Sequence, residues 1–205
     1  TDWQLLQHDP ETGQTTRRPI MVEGERWQPE SGGSVPTWRI DPDGKTAWLI
    51  QMKNPTLIEI DLSSEREAAE AVSHGPMIEG RAYDSRSALD IGPDGRVYAI
   101  VRVKNETGFG GGHLHHLVRY DPEADRMEDL GVLTVQNPDF VDWGPEGPKP
   151  NHGYHRLPDG TLTPLWHHLA MIVTREGEIY TTILYPFTLL RISAENVPGM
   201  TEAID

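Results

Sequence analysis

The sequence contains no cysteine. That excludes disulfide staples, zinc–thiolate centres and a thiol nucleophile. Positive charge is scarce: 18 lysines and arginines stand against 32 aspartates and glutamates, a formal net charge of −14. A protein that neutralises nucleic-acid phosphates needs the opposite balance. Long apolar runs are missing, and none approaches the roughly 18 residues required to cross a bilayer as a helix. No basic segment followed by an apolar stretch opens the chain, so no signal peptide is legible. The chain begins at Thr1 rather than methionine, which fits a leader already removed; a periplasmic or extracellular location is slightly favoured. Segments of helical character are also rare. The run Ser64–Val72 (SEREAAEAV) has helical composition, but it occupies a position where a strand belongs. Hydrophobic residues make up 36% of the chain, low for a globular protein but enough for half-buried strands.

What is abundant is glycine and proline, 20 and 17 residues, and they punctuate a repeat. A short apolar strand, a tight turn and a second strand recur as TWRIDPDGKTAWLIQ at 37–51, ALDIGPDGRVYAIVRV at 88–103 and AMIVTREGEIYTTIL at 170–184. Asp-Gly between alternating apolar runs is a strong hairpin signal. The turn glycines are Gly44, Gly95 and Gly177. A second unit, a strand ending in an acidic or polar turn, follows or precedes each: WQLLQHDPETG at 3–13, LIEIDLSSER at 57–66, HLVRYDPEADR at 116–126 and TLLRISAEN at 188–196. With the inner hairpin labelled A–B and the outer C–D, the order is C-D, A-B-C-D, A-B-C-D, A-B-C. Gly44 and Gly95 are 51 residues apart, and Gly95 and Gly177 are 82 apart. The second interval is the same repeat enlarged by an insertion. A period of about 40–50 residues is the mark of a propeller or solenoid.

The segments GPDGRVYAI at 92–100 and VRYDPEADRMEDLG at 118–131 resemble the four-stranded blades of β-propellers, especially those of the SMP-30, streptogramin-lyase and oligogalacturonate-lyase type. The expected fold is therefore all-β, with about three to three and a half four-stranded antiparallel blades. The expected divisions are a partial blade at 1–21, blades at 22–72 and 73–133, and a blade at 134–205 carrying a long insertion at 136–168. A propeller closes with about 4–8 blades. An unclosed arc leaves the apolar faces of its end blades in water, so a second chain or a further segment is expected to complete a ring of about six to eight blades.

In a blade the A–B and C–D turns lie on one face of the disc, while the B–C loop and the connection into the next A strand lie on the other. The long segments all belong to that second face: Val22–Pro36, Asn105–His115 and Gln136–His168. Long loops on a rigid scaffold are where binding residues concentrate. Six of the nine histidines fall there: His113 and His115 in GFGGGHLHH, His152 and His155 in PNHGYH, and His167 and His168 in PLWHHLAM. His8, His74 and His116 are assigned structural roles. Imidazole is the commonest neutral metal ligand and titrates near neutrality, so His152, His167 and His168 are the candidate metal ligands for a divalent ion such as Mn, Zn or Ca. His155 is the candidate general base. Tyr154 is read as a proton donor or sugar-stacking ring, with core packing the alternative. Alignment on the turn glycines sets His168 level with Arg86 and His167 level with Ser85. RAYDSRS at 81–87 therefore presents Arg81, Tyr83 or Arg86 to the same mouth, where an arginine fork would grip a carboxylate; pairing of Arg86 with Asp84 or Asp90 is the structural alternative. His113 and His115 complete the substrate-binding set.

The Gly108–Gly112 run lacks the Lys-Ser/Thr of a phosphate loop, and no Gly-x-Ser-x-Gly elbow exists. The leading expectation is a propeller that binds a small or saccharide-like, perhaps anionic, ligand at its loop-rich face. The resemblance to oligogalacturonate-lyase-type propellers implies a metal-assisted lyase acting by β-elimination on a uronate; a metal-assisted hydrolase is the neighbouring option. The rival is a non-catalytic propeller that serves as a binding or assembly platform.

Overall fold

A computed structural model of the chain describes residues 3–28, 37–80, 82–108, 112–135, 154–164, 170–183 and 188–204. Among the described residues the fold is all-β apart from a turn of 3₁₀ helix at Ala194–Asn196 and a short helix α1, Met200–Ile204. The strand hairpins are those the sequence repeat marks. β4 (Thr37–Ile40) and β5 (Thr46–Ile50) flank Gly44, β8 (Ala82–Ile91) and β9 (Val97–Lys104) flank Gly95, and β14 (Met171–Val173) and β15 (Ile179–Ile183) flank Gly177. The three glycines share a φ of 73–74°, and each donates its N–H to the carbonyl three residues back, Asp41, Gly92 and Thr174. That left-handed φ favours glycine and explains the spacing of the repeat.

Each inner hairpin is extended outward by antiparallel pairing. β6 (Thr56–Asp61) and β7 (Ala69–Pro76) complete the order β4-β5-β6-β7, and β10 (His113–Asp121) and β11 (Arg126–Val132) complete β8-β9-β10-β11. β16 (Thr188–Ile192) adds to β15. β7 begins inside the run of helical composition at 64–72, at Ala69, and continues past 72 to Pro76. At the N-terminus, β1 (Gln4–His8) and β2 (Thr15–Val22) form a hairpin, with β3 (Glu25–Arg26) folded back on β2. β2 pairs in parallel with β7, Ile20 opposite Ala69 and Val22 opposite Ala71, so the N-terminal strands extend the first sheet instead of forming a separate one.

The sheets stack face to face in chain order, and a separate apolar layer fills each gap. Ala47, Leu49, Ile58 and Ile60 of the first sheet pack on Ile20 and Trp27. On its other face Trp48, Ile50 and Leu57 meet Leu89, Val101 and Val118 of the second sheet. The second sheet's opposite face, with Tyr98, Ile100 and Leu117, meets Met171 and Ile179 of the third, closed over by Val197 and Met200. The first strands of the three sheets lie together. Arg39 Nε on β4 donates to Asp90 Oδ1 on β8 at 3.1 Å, Asp90 Oδ2 accepts the Val173 N–H of β14 at 2.7 Å, and Arg39 Nη2 reaches the Met171 carbonyl at 3.4 Å. This is a radial arrangement, with the A–B turns side by side at one end.

Two features go beyond the expectation. α1 lies past the last strand unit read at 188–196, and its Met200 is buried against the third sheet. The insertion contains a further hairpin, β12 (Tyr154–Arg156) and β13 (Leu162–Pro164), around Pro158-Asp159-Gly160. Gly160 has φ 90° and bonds to the Leu157 carbonyl, so it repeats the turn of the other three hairpins. Residues 136–153 of the insertion lie outside the described residues. Apolar residues face solvent at both ends of the stack: Trp38 and Ile40 at 54% and 45% exposure on the first sheet, Ile172 and Leu189 at 52% and 63% on the third.

Candidate functional site

The long-loop end of the second sheet is formed by the start of β8, the end of β9 and the start of β10. Asp84, buried, and Arg102, half-buried, face one another there and form a two-point ion pair. His113 opens β10 beside them. Burial, followed by the Arg102 charge, holds its imidazole below the ordinary range, while Asp84 pulls the other way. Two residues on, His115 is wholly buried, and its Nδ1 lies 3.0 Å from the Pro164 carbonyl. A carbonyl only accepts, so Nδ1 carries a proton. Pro164 pairs across the hairpin with Tyr154, whose ring is buried with Leu162 against Val135 and Leu190. The hairpin is held to the second sheet by the Val135 N–H, which donates to the Leu162 carbonyl at 2.7 Å.

His113, His115 and Tyr154 therefore come to the same end. His155, Tyr83 and Arg86 lie on β12 and β8, but their side chains lie outside the described residues. Arg81, His152, His167 and His168 lie outside them entirely. The metal set His152, His167 and His168 is thus carried forward only as a proposal; among the described residues no group of three or more His, Asp or Glu side chains is arranged to hold a metal ion. The carboxylates considered as partners of Arg86 are both held by other arginines, Asp84 by Arg102 and Asp90 by Arg39.

The sequence reading placed no function on His74, yet this ring lies at the centre of a dense polar cluster. It sits on β7 facing the second sheet. Its Nε2 is 2.9 Å from Glu59 Oε2, and its Nδ1 is 2.8 Å from the Tyr120 hydroxyl and 3.5 Å from Asp125 Oδ1. The Tyr120 and Trp48 ring centroids lie 4.5 and 5.6 Å from the imidazole. The cluster borders a cavity of 580 Å³ that also touches Val72 and Pro122. Its place in the alternation Glu70, Val72, His74 along β7 was the signal that turns it toward the neighbouring sheet. His116, also given a structural role, pairs with Asp129 through Nδ1 at 2.8 Å. The exposed His8 bonds Thr15 Oγ1 at 3.0 Å.

No protein-family model and no curated protein matches the chain. Among solved structures it is similar to a TolB-type protein of Agrobacterium tumefaciens, at 18% identity over 83% of this chain and 61% of that one, with a TM-score of 0.35. It is likewise similar to TolB of Acinetobacter baumannii, at 13% identity over 93% of this chain and 46% of that one, with a TM-score of 0.36. The chain thus spans less than two thirds of either, and the scores are too low for a shared arrangement to follow from them. Among the described residues no helix is long and apolar enough to cross a membrane.

Proposed function

We propose that this chain is the arc of a propeller-like ring and works as a binding and assembly platform. The observation behind the proposal is the pair of uncovered end faces. Trp38 and Ile40 lie on the face that β5 and β6 bury against the N-terminal strands, but they extend beyond that cover. Ile172 shares the outer face of the third sheet with Tyr180 and, across β15, Arg191. Apolar surface left in water is unfavourable by about 25 cal/mol per Å². A further apolar sheet face, laid on as the second sheet is laid on the first, would remove that cost. The partner is therefore a sheet of the same build, from a second chain or a further segment, completing a ring of about six to eight blades. Sedimentation of the chain at micromolar concentration, with Trp38→Glu and Leu189→Glu variants beside it, tests this. The expected result is an assembly that either variant reduces to single chains. A wild type that sediments as one chain and is unaffected by both substitutions overturns the proposal.

A second reading places ligand binding at the long-loop end, and the meeting of His113, His115 and Tyr154 there favours it. The ligand would be small or saccharide-like, with an anion suited to the arginines Arg81 and Arg86. If the chain is an enzyme, this reading makes it a metal-assisted lyase of the uronate β-elimination type or a hydrolase, with His155 as base and His152, His167 and His168 holding the metal. A divalent ion there would act as a Lewis acid toward the bound carboxylate. Elemental analysis of the purified protein tests the metal set: His167→Ala with His168→Ala should abolish metal content with the fold intact, and unchanged metal content would sink the assignment. A periplasmic or extracellular location belongs to the same proposal.

A further inference from the structure

The third sheet is one strand short, and the shortfall leaves a slot. The first and second sheets each run outward through four strands, β4 to β7 and β8 to β11, whereas the third stops at β16, after which the chain leaves for the 3₁₀ turn and α1. Because the innermost strands β4, β8 and β14 lie together, β11 overhangs β16 by one strand. The space at that overhang is a groove of 610 Å³, walled by Leu130 and Val132 of β11 and by Leu190 and Ile192 of β16. Hydrogen-bond direction shows what the groove offers. The Thr182 N–H on β15 goes to the Ala170 carbonyl on the β14 side. Alternation then points Ile179 and Thr181 at β16, where Ile192 and Leu190 answer them. Leu189 and Arg191 are left with N–H and C=O turned outward, and among the described residues no backbone group meets them. The outer edge of β7 is covered by β2. β16 has no such cover among the described residues, and no bulge, proline or lysine to guard it.

We infer that this groove is a β-addition site, and that its occupant is a single extended segment of a partner protein, with apolar residues at alternate positions and positive charge at its ends. Four backbone groups, the N–H and C=O of Leu189 and of Arg191, stand ready, and an extended backbone answers them at that spacing. Every second side chain of the added strand would turn onto Leu130 and Val132, which calls for apolar residues there. The others would lie outward beside Arg191 and Leu189, which is 63% exposed. β16 has five residues, about 17 Å of strand, so a short segment fills the slot. A second copy of this chain does not suit it. Brought edge to edge with β16, that copy would carry its own second sheet into the overhanging β11. Charge selects the sign of the partner. The chain holds −14, and Glu195 lies exposed beside Ser193 and Asn196, which line one end of the groove. Arg191, the cation on β16, is already paired with Glu178. A basic segment is drawn to such a rim and an acidic one is repelled. The groove opens at the rim of the third sheet, apart from the end faces at Trp38 and Ile172, and binding there does not rest on what covers those faces.

The test uses the full chain carrying Trp38→Glu, to remove end-face assembly, and a fluorescent peptide of sequence Lys-Thr-Val-Thr-Val-Thr-Val-Lys. Anisotropy should show saturable binding. A peptide of the same composition without the alternation, or one with glutamate in place of both lysines, should bind several-fold more weakly. Arg191→Pro removes an outward N–H without touching a bond to β15, and should weaken binding about three- to tenfold. Arg191→Ala keeps that N–H and should change binding less. In ¹H–¹⁵N spectra the peptide should slow hydrogen exchange at the Leu189 and Arg191 amides and leave Leu190 unchanged. Absence of binding, equal binding of the rearranged peptide, or exchange at Leu189 and Arg191 that the peptide does not slow overturns the inference; the exchange readout decides even if Arg191→Pro fails to fold. Self-association without peptide that Arg191→Pro abolishes would make a second copy the occupant, and would overturn it as well.

Discussion

Replacing Asp90 with alanine removes, in one step, two of the contacts that hold the three innermost strands together. Its Oδ2 accepts the Val173 N–H at 2.7 Å, and its Oδ1 accepts from Arg39 Nε at 3.1 Å. The side chain is 18% exposed, so the first bond is a charge-assisted one in a largely dry place, worth about 1.5–3 kcal/mol. The second is weaker. Arg39 is 36% exposed, and solvent screening holds such a pair to about 0–1 kcal/mol. The expected loss is about 2–4 kcal/mol, which for a chain of 205 residues lowers the thermal midpoint by roughly 4–16 °C. Urea unfolding of Asp90→Ala, Arg39→Met and the double variant separates the two contributions. Arg39→Met alone should cost about 1 kcal/mol, and the coupling between the sites should be of the same order. If Asp90→Ala costs no more than Asp43→Ala, an exposed turn carboxylate, the innermost strands are not joined as described, and the radial arrangement falls with them.

Three further outcomes are expected. Burial first, then a hydrogen bond to a carboxylate (Asp94 for Tyr98, Asp125 for Tyr120), raises both phenols above their ordinary value of 10.0. Folding then favours the protonated ring: the stabilisation is whole below that value and drains away above it as the unfolded chain ionises, so Tyr98→Phe should flatten the alkaline limb of a stability–pH curve, and an unaltered limb refutes this. Burial and then Arg102 hold His113 low; Arg102→Met should raise its titration midpoint in NMR, the more so with Asp84 left behind, whereas a fall would contradict the geometry. For His113 the depressed value means stability present above the ordinary imidazole range and lost as pH falls through it. Gly95→Ala forces a side chain into φ 73° and should cost about 1 kcal/mol in chemical denaturation; an equal stability would mean that the turn rearranges freely.

The repeat was legible because hairpin turns are written locally. Gly44, Gly95 and Gly177 each need a left-handed φ, and the alternation on either side sets the inner and outer faces. A fourth copy of the turn, Pro158-Asp159-Gly160, was also written in the sequence, but the interval between Gly95 and Gly177 was read as loop, and β12–β13 was lost in it. The parallel pairing of β2 with β7 could not be seen, since it joins residues about fifty apart whose patterns suit either partner. α1 was hidden by its length, five residues with no cap signal strong enough to end a strand. At the long-loop end, the sequence grouped His113, His115 and Tyr154 by the loops that carry them, and the structure sets His115 beside the β12–β13 hairpin that holds Tyr154. The sequence could not show that Asp84 answers Arg102, because that choice depends on which face each strand turns inward. His74 was missed because its importance arises from Tyr120 and Asp125, which meet it only after two sheets have stacked.

The tight turns put most of their carboxylates at one end of the molecule, among them Asp43, Asp94, Asp121, Asp125 and Glu176. Among the described residues, the opposite end carries His113, His115 and the Arg102 guanidinium with its partner Asp84. On a chain of net charge −14 this placing makes the turn end, reached along the strands rather than across the stack, the more negative of the two. A negatively charged solute drifting in at low ionic strength is turned away from the acidic pole and funnelled toward the other. A basic macromolecule feels the reverse torque and arrives turn-first, so charge alone sorts visitors before any surface is touched.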